Sequence, residues 1–428
     1  MFLSVHHATS LNRYEELPVQ SREPRTPLVR PLKPISCNEA VLTVDHQSLQ
    51  DLLDGAAFLS VGGGGPKSMG RDMLGTLDPS QVIPMVGVDQ VGDDQWVVMS
   101  AYLGSPIAAA NLKSPSFNSL ERCIRALEKS AGVSVSFVVP GEIGAVNSIA
   151  PILAACDLGV PVVDADGCGR AVPLIAATTF GLQNELIQRG GAAIANDAND
   201  PTQYQSAVFQ ACTTSQIQTN AIAVIGSSAY GLLGAIATWL MKGSELKKFA
   251  VPGGLSNAIA VGAAIRQSQG NYLQDVQQAL KTAGLKSRVL GGAPMKPLKM
   301  AVATQQGHDH ATLTLQVSGS EEIVTVYMVN ENILAYSSKL SQPVIMAPDM
   351  LAWLGLDGST FDNSELAAKI QTGEAGELYA IGIEATQPIG APSQAHRIAF
   401  RDDPGILKVM QAMMEDLGYA GSYVKFQA

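Results

Sequence analysis

The 428 residues are 46% hydrophobic and only 15% charged, with a formal net charge of −10 at pH 7. A chain of this size and polarity can form two or three domains with large cores, and it is too apolar to be disordered over most of its length. The acidic balance argues against nucleic acid or an anionic membrane as a partner, so we expect a small-molecule substrate.

The cysteine pattern predicts the compartment. The sequence has five cysteines and no Cys-x-x-Cys pair. This pattern argues against a disulfide framework and favours a reducing, cytoplasmic setting. No apolar signal segment follows Met1. A homo-oligomer is compatible with this composition.

Three regions are predicted along the chain. Residues 1–36 contain five prolines and no apolar period, which predicts an irregular N-terminal arm. Residues 37–292 alternate helical and strand patterns, which predicts an α/β body with a largely parallel sheet. Residues 293–428 contain short β-rich runs separated by polar turns, which predicts a mostly β C-terminal domain closed by a helix over Gly405–Leu417.

The first half of the body is predicted to begin with a helix over Gln47–Leu53 that Gly55 ends. A buried strand over Ala57–Val61 is expected to follow. The later elements are two strands, an amphipathic helix and a β-α-β unit with parallel strands, in this order: Val82–Val88, Trp96–Ala101, Ser119–Ser130, Val133–Val139, Ile143–Cys156 and Val160–Asp164.

An uncharged stretch in the second half of the body requires a choice between a membrane span and buried elements. Residues Ala221–Met241 are apolar and long enough to cross a bilayer. Because Gly226-Ser227-Ser228 interrupts them, we interpret the stretch as a buried strand over Ala221–Ile225 and a buried helix over Ser228–Met241. Ala192–Ala195 is predicted to be another buried strand that a helix follows.

The C-terminal domain is predicted from five short runs of β-forming residues. They are Leu298–Val302, Ala311–Val317, Ile323–Val329, Val344–Ala347 and Leu378–Ile383.

Three unusual loops follow predicted strands of the body. They are Gly62–Pro66, Gly141–Asn147 and Asp164–Arg170. Ligands of open parallel sheets bind beyond the carboxyl ends of the strands. If these strands are parallel, the three loops share one rim, which predicts a site there.

The glycine run Gly62, Gly63, Gly64 and Gly65 lets a backbone approach a ligand closely and direct N–H groups at it. It lacks both the Gly-x-Gly-x-x-Gly fingerprint and the Gly-Lys-Ser/Thr of a phosphate-binding loop. Substrate binding by main-chain amides, phosphate binding and a purely structural turn remain open alternatives.

Glu142 is predicted to lie at a helix start, where the helix dipole favours the charged carboxylate. It is therefore a candidate general base or cation partner, or an ordinary capping residue. Asn147 follows one turn later as a candidate substrate-binding residue or a local backbone partner.

Asp164 and Asp166 leave a predicted strand two residues apart. Carboxylates so close can share a metal, share a proton or anchor Arg170. Cys168 lies between two glycines and could be an exposed thiol, although no histidine is near it in sequence. His308 and His310 form a His-x-His pair at the head of a strand, which is a candidate metal site or a surface turn.

These blocks resemble the S-methyl-thiohydantoin desulfurase-like family, long catalogued as a domain of unknown function beside hydantoinase/oxoprolinase genes. The most specific match is Val160–Ala171, with its Asp-Ala-Asp-Gly-x-Gly-Arg-Ala sequence. Weaker matches extend from about residue 45 to about residue 355. They are Gly62–Pro66, Gly104-Ser105-Pro106, Glu142-Ile143-Gly144 with Asn147, Ser256, Asn330-Glu331-Asn332 and Pro348-Asp349.

The resemblance implies an α/β body, a β-rich C-terminal domain and hydrolytic chemistry on a five-membered cyclic amide or thioamide ring. It also places Glu331 among the substrate-binding candidates. The chain departs from the family at Leu174, where glutamate is usual, and at Cys168, where methionine is usual.

The leading hypothesis is a hydrolase that acts on a small cyclic amide, hydantoin or thiohydantoin-type ring. Glu142, Asp164 and Asp166 are expected to activate water, directly or through a divalent metal such as zinc. Arg170 and the amides of the glycine run are expected to stabilise the developing oxyanion. A non-catalytic small-molecule-binding or regulatory subunit is the alternative that Leu174 motivates, and a nucleotide-dependent enzyme is a third.

Overall fold

The computed structural model describes residues 42–104, 116–305 and 308–428. The predicted N-terminal arm and Cys37 lie outside these residues, as does most of the Gly104-Ser105-Pro106 turn. The described residues belong to one compact unit. No helix among them is long and apolar enough to cross a membrane.

The described residues form eleven α-helices. They are α1 (His46–Leu59), α2 (Lys67–Leu74), α3 (Ser119–Ala131), α4 (Ala150–Leu158), α5 (Asn184–Gly190), α6 (Thr214–Ile225), α7 (Gly243–Phe249), α8 (Gly254–Gln267), α9 (Tyr272–Thr282), α10 (Asn363–Thr372) and α11 (Pro404–Asp416).

The same residues form eighteen β-strands. They are β1 (Leu42–Val44), β2 (Ile83–Val86), β3 (Trp96–Gly104), β4 (Phe137–Val139), β5 (Val162–Val163), β6 (Ala165–Asp166), β7 (Ala192–Ala195), β8 (Ser206–Phe209), β9 (Leu233–Lys242), β10 (Val251–Pro252), β11 (Ser287–Val289), β12 (Met295–Gln305), β13 (His308–Val317), β14 (Ile323–Val329), β15 (Glu331–Ser337), β16 (Pro343–Met346), β17 (Met350–Gly355) and β18 (Leu378–Ile383).

The body contains a mixed eight-stranded sheet with the order β1-β2-β5-β4-β3-β9-β7-β8. The strands β2, β5, β4 and β3 are mutually parallel, and the pairing of β4 with β5 confirms the expected parallel β-α-β pair. The long strand β9 is antiparallel to both β3 and β7, and the two edge strands are also antiparallel to their neighbours. The expectation of a largely parallel sheet is therefore not confirmed.

The C-terminal half forms an antiparallel sheet with the order β11-β18-β12-β13-β14-β15-β16, and β17 pairs with β18. Along β13 intermediate and buried residues alternate, as expected when one face of a strand covers a core. The predicted β-rich character and the closing helix are confirmed. The domain boundary at residue 292 stays a prediction.

The predicted strand over Ala57–Val61 is wrong, because α1 continues through Gly55 to Leu59. A Cβ atom on Gly55 would lie 1.8 Å from the carbonyl oxygen of Ala258 on α8. This glycine therefore lets two helices pack closely instead of ending one of them.

Two further elements are interchanged relative to the prediction: Ala221–Ile225 ends helix α6, and most of Ser228–Met241 is strand β9. Thr213 starts α6 with a capping box in which Gln216 takes part. The predicted helix after β7 is also wrong, because β8 follows and pairs with it. Apolar runs of this length fit a buried helix or a buried strand equally well, so the elements packed beside the run determine which of the two it forms.

Candidate active site

A cavity of about 840 Å³ lies where the body meets the C-terminal sheet. Five of the predicted segments contribute to its lining: the glycine run, Glu142, Asn147, Glu331 and His308. Asp164, Asp166 and Arg170 do not line it. The structure thus separates the predicted residues into a group that faces the cavity and a group that lies behind its wall.

The glycine run follows helix α1, so its predicted position after a strand is wrong. Gly62, Gly64 and Gly65 have φ values of 92°, 69° and 89°, a region that favours glycine. The carbonyl oxygen of Gly64 accepts hydrogen bonds from the main-chain N–H groups of Val146 and Asn147, at 3.0 and 3.4 Å. These bonds fix the run against the loop that carries Glu142.

Glu142 lies in a turn and not at a helix start, because α4 begins only at Ala150. Its Oε1 accepts a hydrogen bond from the side-chain amide of Asn147, and its Oε2 accepts one from the main-chain N–H of Val172, both at 2.8 Å. Burial nevertheless raises the pKa of this carboxyl above its ordinary value, although both hydrogen bonds and the Arg170 charge oppose the shift. Because no helix begins at Glu142, a helix dipole does not stabilise its charged form as predicted.

Glu331 begins strand β15 and is only 3% exposed. Among the described residues its Oε2 has no hydrogen-bond partner. Burial and the charge of Glu142 hold the pKa of Glu331 well above its usual range, while Arg170 and the N–H of Gly64 act in the opposite direction. Two carboxyl groups in one low-dielectric site do not both ionise readily, so this pair favours one proton and one charge.

Asn147 connects Glu142 to the sheet of the body. Its side-chain oxygen accepts a hydrogen bond from the N–H of Tyr102 at 2.8 Å, and its amide nitrogen also donates to the Tyr102 carbonyl at 3.3 Å. Both Tyr102 contacts use the main chain at the end of β3. Asn147 therefore holds Glu142 at a fixed position relative to that strand.

Asp164 has a structural position that the sequence did not suggest. Its Oδ1 accepts a hydrogen bond from the N–H of Ser256 in the first turn of α8 at 3.0 Å. The N–H groups at a helix start lack partners within the helix, and this carboxylate supplies one. Asp164 is not among the residues that line the cavity, and its catalytic role stays a prediction.

Asp166 is fully buried, and its Oδ1 accepts hydrogen bonds from the N–H groups of Cys168 and Gly169. Burial raises its pKa to about 7, with smaller contributions from the charges of Asp164 and Glu142. Asp166 also lies outside the cavity lining, and its role as a water-activating group stays a prediction. Its hydrogen bonds shape the turn that leads to Arg170.

Arg170 is fully buried and donates four hydrogen bonds to main-chain carbonyls. The acceptors are Ala171 at 2.9 Å, Pro348 at 3.1 Å, and Asp349 and Asn332 at 3.2 Å each. Ala171 precedes the residue whose N–H binds Glu142, and Asn332 follows Glu331. The guanidinium therefore joins the two chain segments that position the carboxyl pair. Arg170 is not among the residues that line the cavity, and its contact with an oxyanion stays a prediction.

Cys168 is also buried, with its Sγ 2.9 Å from the carbonyl oxygen of Arg170. Burial raises the pKa of this thiol well above its ordinary value, so the thiolate is disfavoured. The expected exposed thiol is wrong. Leu174 packs, partly buried, against an apolar cluster that includes Phe400 and Met410.

The candidate metal ligands are not assembled into a metal site. Across residues 42–104, 116–305 and 308–428, no group of three or more His, Cys, Asp or Glu side chains could hold an ion. His308 lines the large cavity, whereas His310 lines a smaller one of about 250 Å³. A main-chain N–H binds Oδ1 of Asp164 and two bind Oδ1 of Asp166, while Oδ2 of Asp166 has no hydrogen-bond partner among the described residues.

The apolar wall of the cavity was missed because it comes from the two interchanged elements, α6 and β9. Asp362 and Asn363 at the start of α10 were missed as well. Asn363 donates its N–H to the Gly62 carbonyl at 2.8 Å and its amide to the Asn330 carbonyl at 2.9 Å. The Asp-Asn-Ser-Glu sequence from Asp362 is a helix-start signal that could have located α10.

Comparisons with known proteins address the family and the fold. Residues 47–200 match the model described as S-Me-THD-like, N-terminal domain, and residues 214–375 match the S-Me-THD-like, C-terminal domain. The structure is similar to an X-ray crystal structure of a protein from Chromobacterium violaceum, with a TM-score of 0.75 at 23% identity. That likeness covers 90% of this chain and 100% of the other, and it shows the fold alone. No match was found among curated proteins.

Proposed function

Because this chain belongs to the S-Me-THD-like family, we propose that it hydrolyses a small cyclic amide, hydantoin or thiohydantoin-type ring with Glu142 and Glu331 as its acid–base pair. The observation that carries the proposal is the carboxyl pair itself. Both groups line one cavity, and both have a raised pKa. Glu331 accepts a hydrogen bond from the N–H of Gly64, whose carbonyl in turn binds the loop that carries Glu142.

The environments of the two carboxyls support a separate role for each. Glu142 receives two hydrogen bonds that stabilise its charged form, so it is the base. Glu331 has an unpartnered oxygen and the more strongly raised pKa, so it holds the proton and is the acid. Paired groups whose pKa values diverge are typical of acid–base catalysis.

In the proposed reaction, Glu142 removes a proton from water while the water oxygen forms a bond to the ring carbon. The bond from this carbon to the ring nitrogen, or to sulfur in a thiohydantoin thioether, then breaks. The departing nitrogen or sulfur keeps the electron pair and takes the proton from Glu331. Transfer of the proton from Glu142 to Glu331 restores the starting state.

The test compares hydrolysis by Glu142→Gln, Glu331→Gln and the control Asp164→Asn. Each change replaces a carboxylate with an amide of the same shape, but Asp164 lies outside the cavity and Asn can still accept from Ser256. With a 2-methylthio-substituted ring as substrate, methanethiol release reports turnover. We expect loss on the order of 10²-fold or more for each glutamate variant, and near wild-type turnover for Asp164→Asn.

Unchanged turnover in both glutamate variants would refute the assignment. Ring binding without turnover by the wild-type chain would instead favour the non-catalytic binding subunit, for which Leu174 remains the supporting observation.

A further inference from the structure

We propose that the ring bound at this site carries a large, uncharged apolar substituent, which lies along a wall made by α6 and β9. The inference rests on the proposed function for the position of the ring at Glu142 and Glu331. It adds the chemical class of the substituent, which the acid–base pair alone does not specify.

The size of the cavity is the first reason. An apolar cavity of about 150 Å³ is enough to hold a benzene molecule, and a five-membered ring with two carbonyl oxygens is of similar size. The cavity here measures about 840 Å³. An unsubstituted ring would therefore leave most of it to water.

The second reason is the chemistry of the wall. Six apolar side chains from α6, β9 and their connection line the cavity together with the uncharged, polar Gln218. The six apolar side chains are Ile222, Ile225, Leu232, Leu233, Ile236 and Trp239. Replacing water on such an apolar surface with a hydrocarbon group is favourable and strengthens binding.

The third reason is the sign of the charge around the cavity. Glu142, Asp309 and Asp362 contribute acidic side chains to the lining beside the protonated Glu331, and among the described lining residues there is no lysine or arginine. His308 is half-buried, and burial and the neighbouring His310 lower its pKa, so its neutral form is favoured. A carboxylate on the substituent would meet like charge without a basic partner.

The test uses two rings with the same number of non-hydrogen atoms: 5-(2-methylpropyl)hydantoin and 5-(carboxymethyl)hydantoin, with unsubstituted hydantoin as the reference. Calorimetry on the full-length Glu331→Gln protein measures binding, and wild-type kcat/KM measures turnover. Burial of one methylene corresponds to roughly a fourfold gain in affinity. We expect the 2-methylpropyl ring to bind at least tenfold more tightly than hydantoin, and the carboxymethyl ring to bind no more tightly than hydantoin.

A variant pair locates the substituent. Ile222→Asn places a polar group on the wall, whereas Ala223→Asn makes the same change on the exposed side of the same helix, outside the lining. We expect Ile222→Asn to reduce the affinity for the 2-methylpropyl ring, relative to that for hydantoin, at least fivefold. Ala223→Asn should leave the affinities of both rings unchanged.

The outcomes separate this inference from the proposed function. Selective binding of the 2-methylpropyl ring without turnover supports the apolar wall and contradicts the hydrolase. Turnover of all three rings with equal kcat/KM, or tightest binding of the carboxymethyl ring, overturns the inference and leaves the acid–base pair intact.

Discussion

Gly63→Ala tests whether the position of Glu331 matters, because the substitution acts on that side chain directly. A methyl carbon at position 63 would lie 1.9 Å from Oε1 of Glu331, 2.5 Å from Cδ and 2.6 Å from Cγ. Real contacts of this type stay beyond 3.0 Å, so the carboxyl oxygen must move by about 1.1 Å. Gly63 does not have the positive φ of its three glycine neighbours, so its backbone accepts alanine.

The expected result is a folded protein with impaired chemistry. Overpacking of this kind costs about 1–3 kcal/mol of unfolding free energy. A displacement of about 1 Å at a reacting group lowers kcat on the order of 10²-fold. Urea unfolding and methanethiol release from the 2-methylthio ring measure the two effects.

Gly376→Ala is the control, since no heavy atom lies within 4 Å of a Cβ at that position. It should keep both stability and turnover. If Gly63→Ala is folded and turns over at the wild-type rate, the position of Glu331 is not part of the mechanism.

Three further predictions concern stability. Because the folded chain holds the Glu331 proton above the ordinary glutamate pKa, the wild-type unfolding free energy should fall as pH rises from about 4.5 toward the raised pKa; Glu331→Gln should flatten this slope in urea titrations, and an identical slope would contradict the assignment. Arg170→Met removes four hydrogen bonds to buried carbonyls and should cost at least about 3 kcal/mol of unfolding free energy; a loss below about 1 kcal/mol would exclude its joining role. Gly55→Ala should destabilise by about 1–3 kcal/mol through its contact with Ala258, whereas helix propensity alone predicts a gain of about 1 kcal/mol, so the sign of the change in thermal unfolding decides.

Local sequence patterns located elements that their own residues specify. The runs of β-forming residues at Ile323–Val329 and Leu378–Ile383 predicted two strands with their observed bounds. The helix over Ser119–Ala131 has a clear amphipathic period and a left-handed Gly132 at its end. Along Ile323–Val329 and this helix, buried residues recur with the period of the element, so the period indicates the structure.

The errors fall where long-range packing decides. Gly55 was interpreted as a helix end, but it allows close approach of a helix that lies two hundred residues away in sequence. The apolar residues of α6 and β9 have no polar face that would reveal a period, and β3 and β7 on either side of β9 determine its structure.

Long-range packing also explains why only part of the site was predicted. Glu142, Asn147 and the glycine run do meet, because the loop and the run bind each other through the Gly64 carbonyl. Asp164 and Asp166 looked equally functional in sequence, but their hydrogen bonds serve a helix start and a turn. Spacing in the sequence shows which residues are neighbours along the chain. It does not show whether a side chain points into the cavity or lies behind its wall.

The pH dependence of kcat for methanethiol release tests the central claim most directly. If Glu142 acts as a charged base and Glu331 as a protonated acid, the wild-type profile is bell-shaped, and kcat falls at alkaline pH as Glu331 loses its proton. In Glu331→Gln we expect a much lower kcat without that alkaline fall, while Asp164→Asn keeps the wild-type profile. A Glu331→Gln enzyme with the wild-type rate and an unchanged alkaline limb would contradict the account.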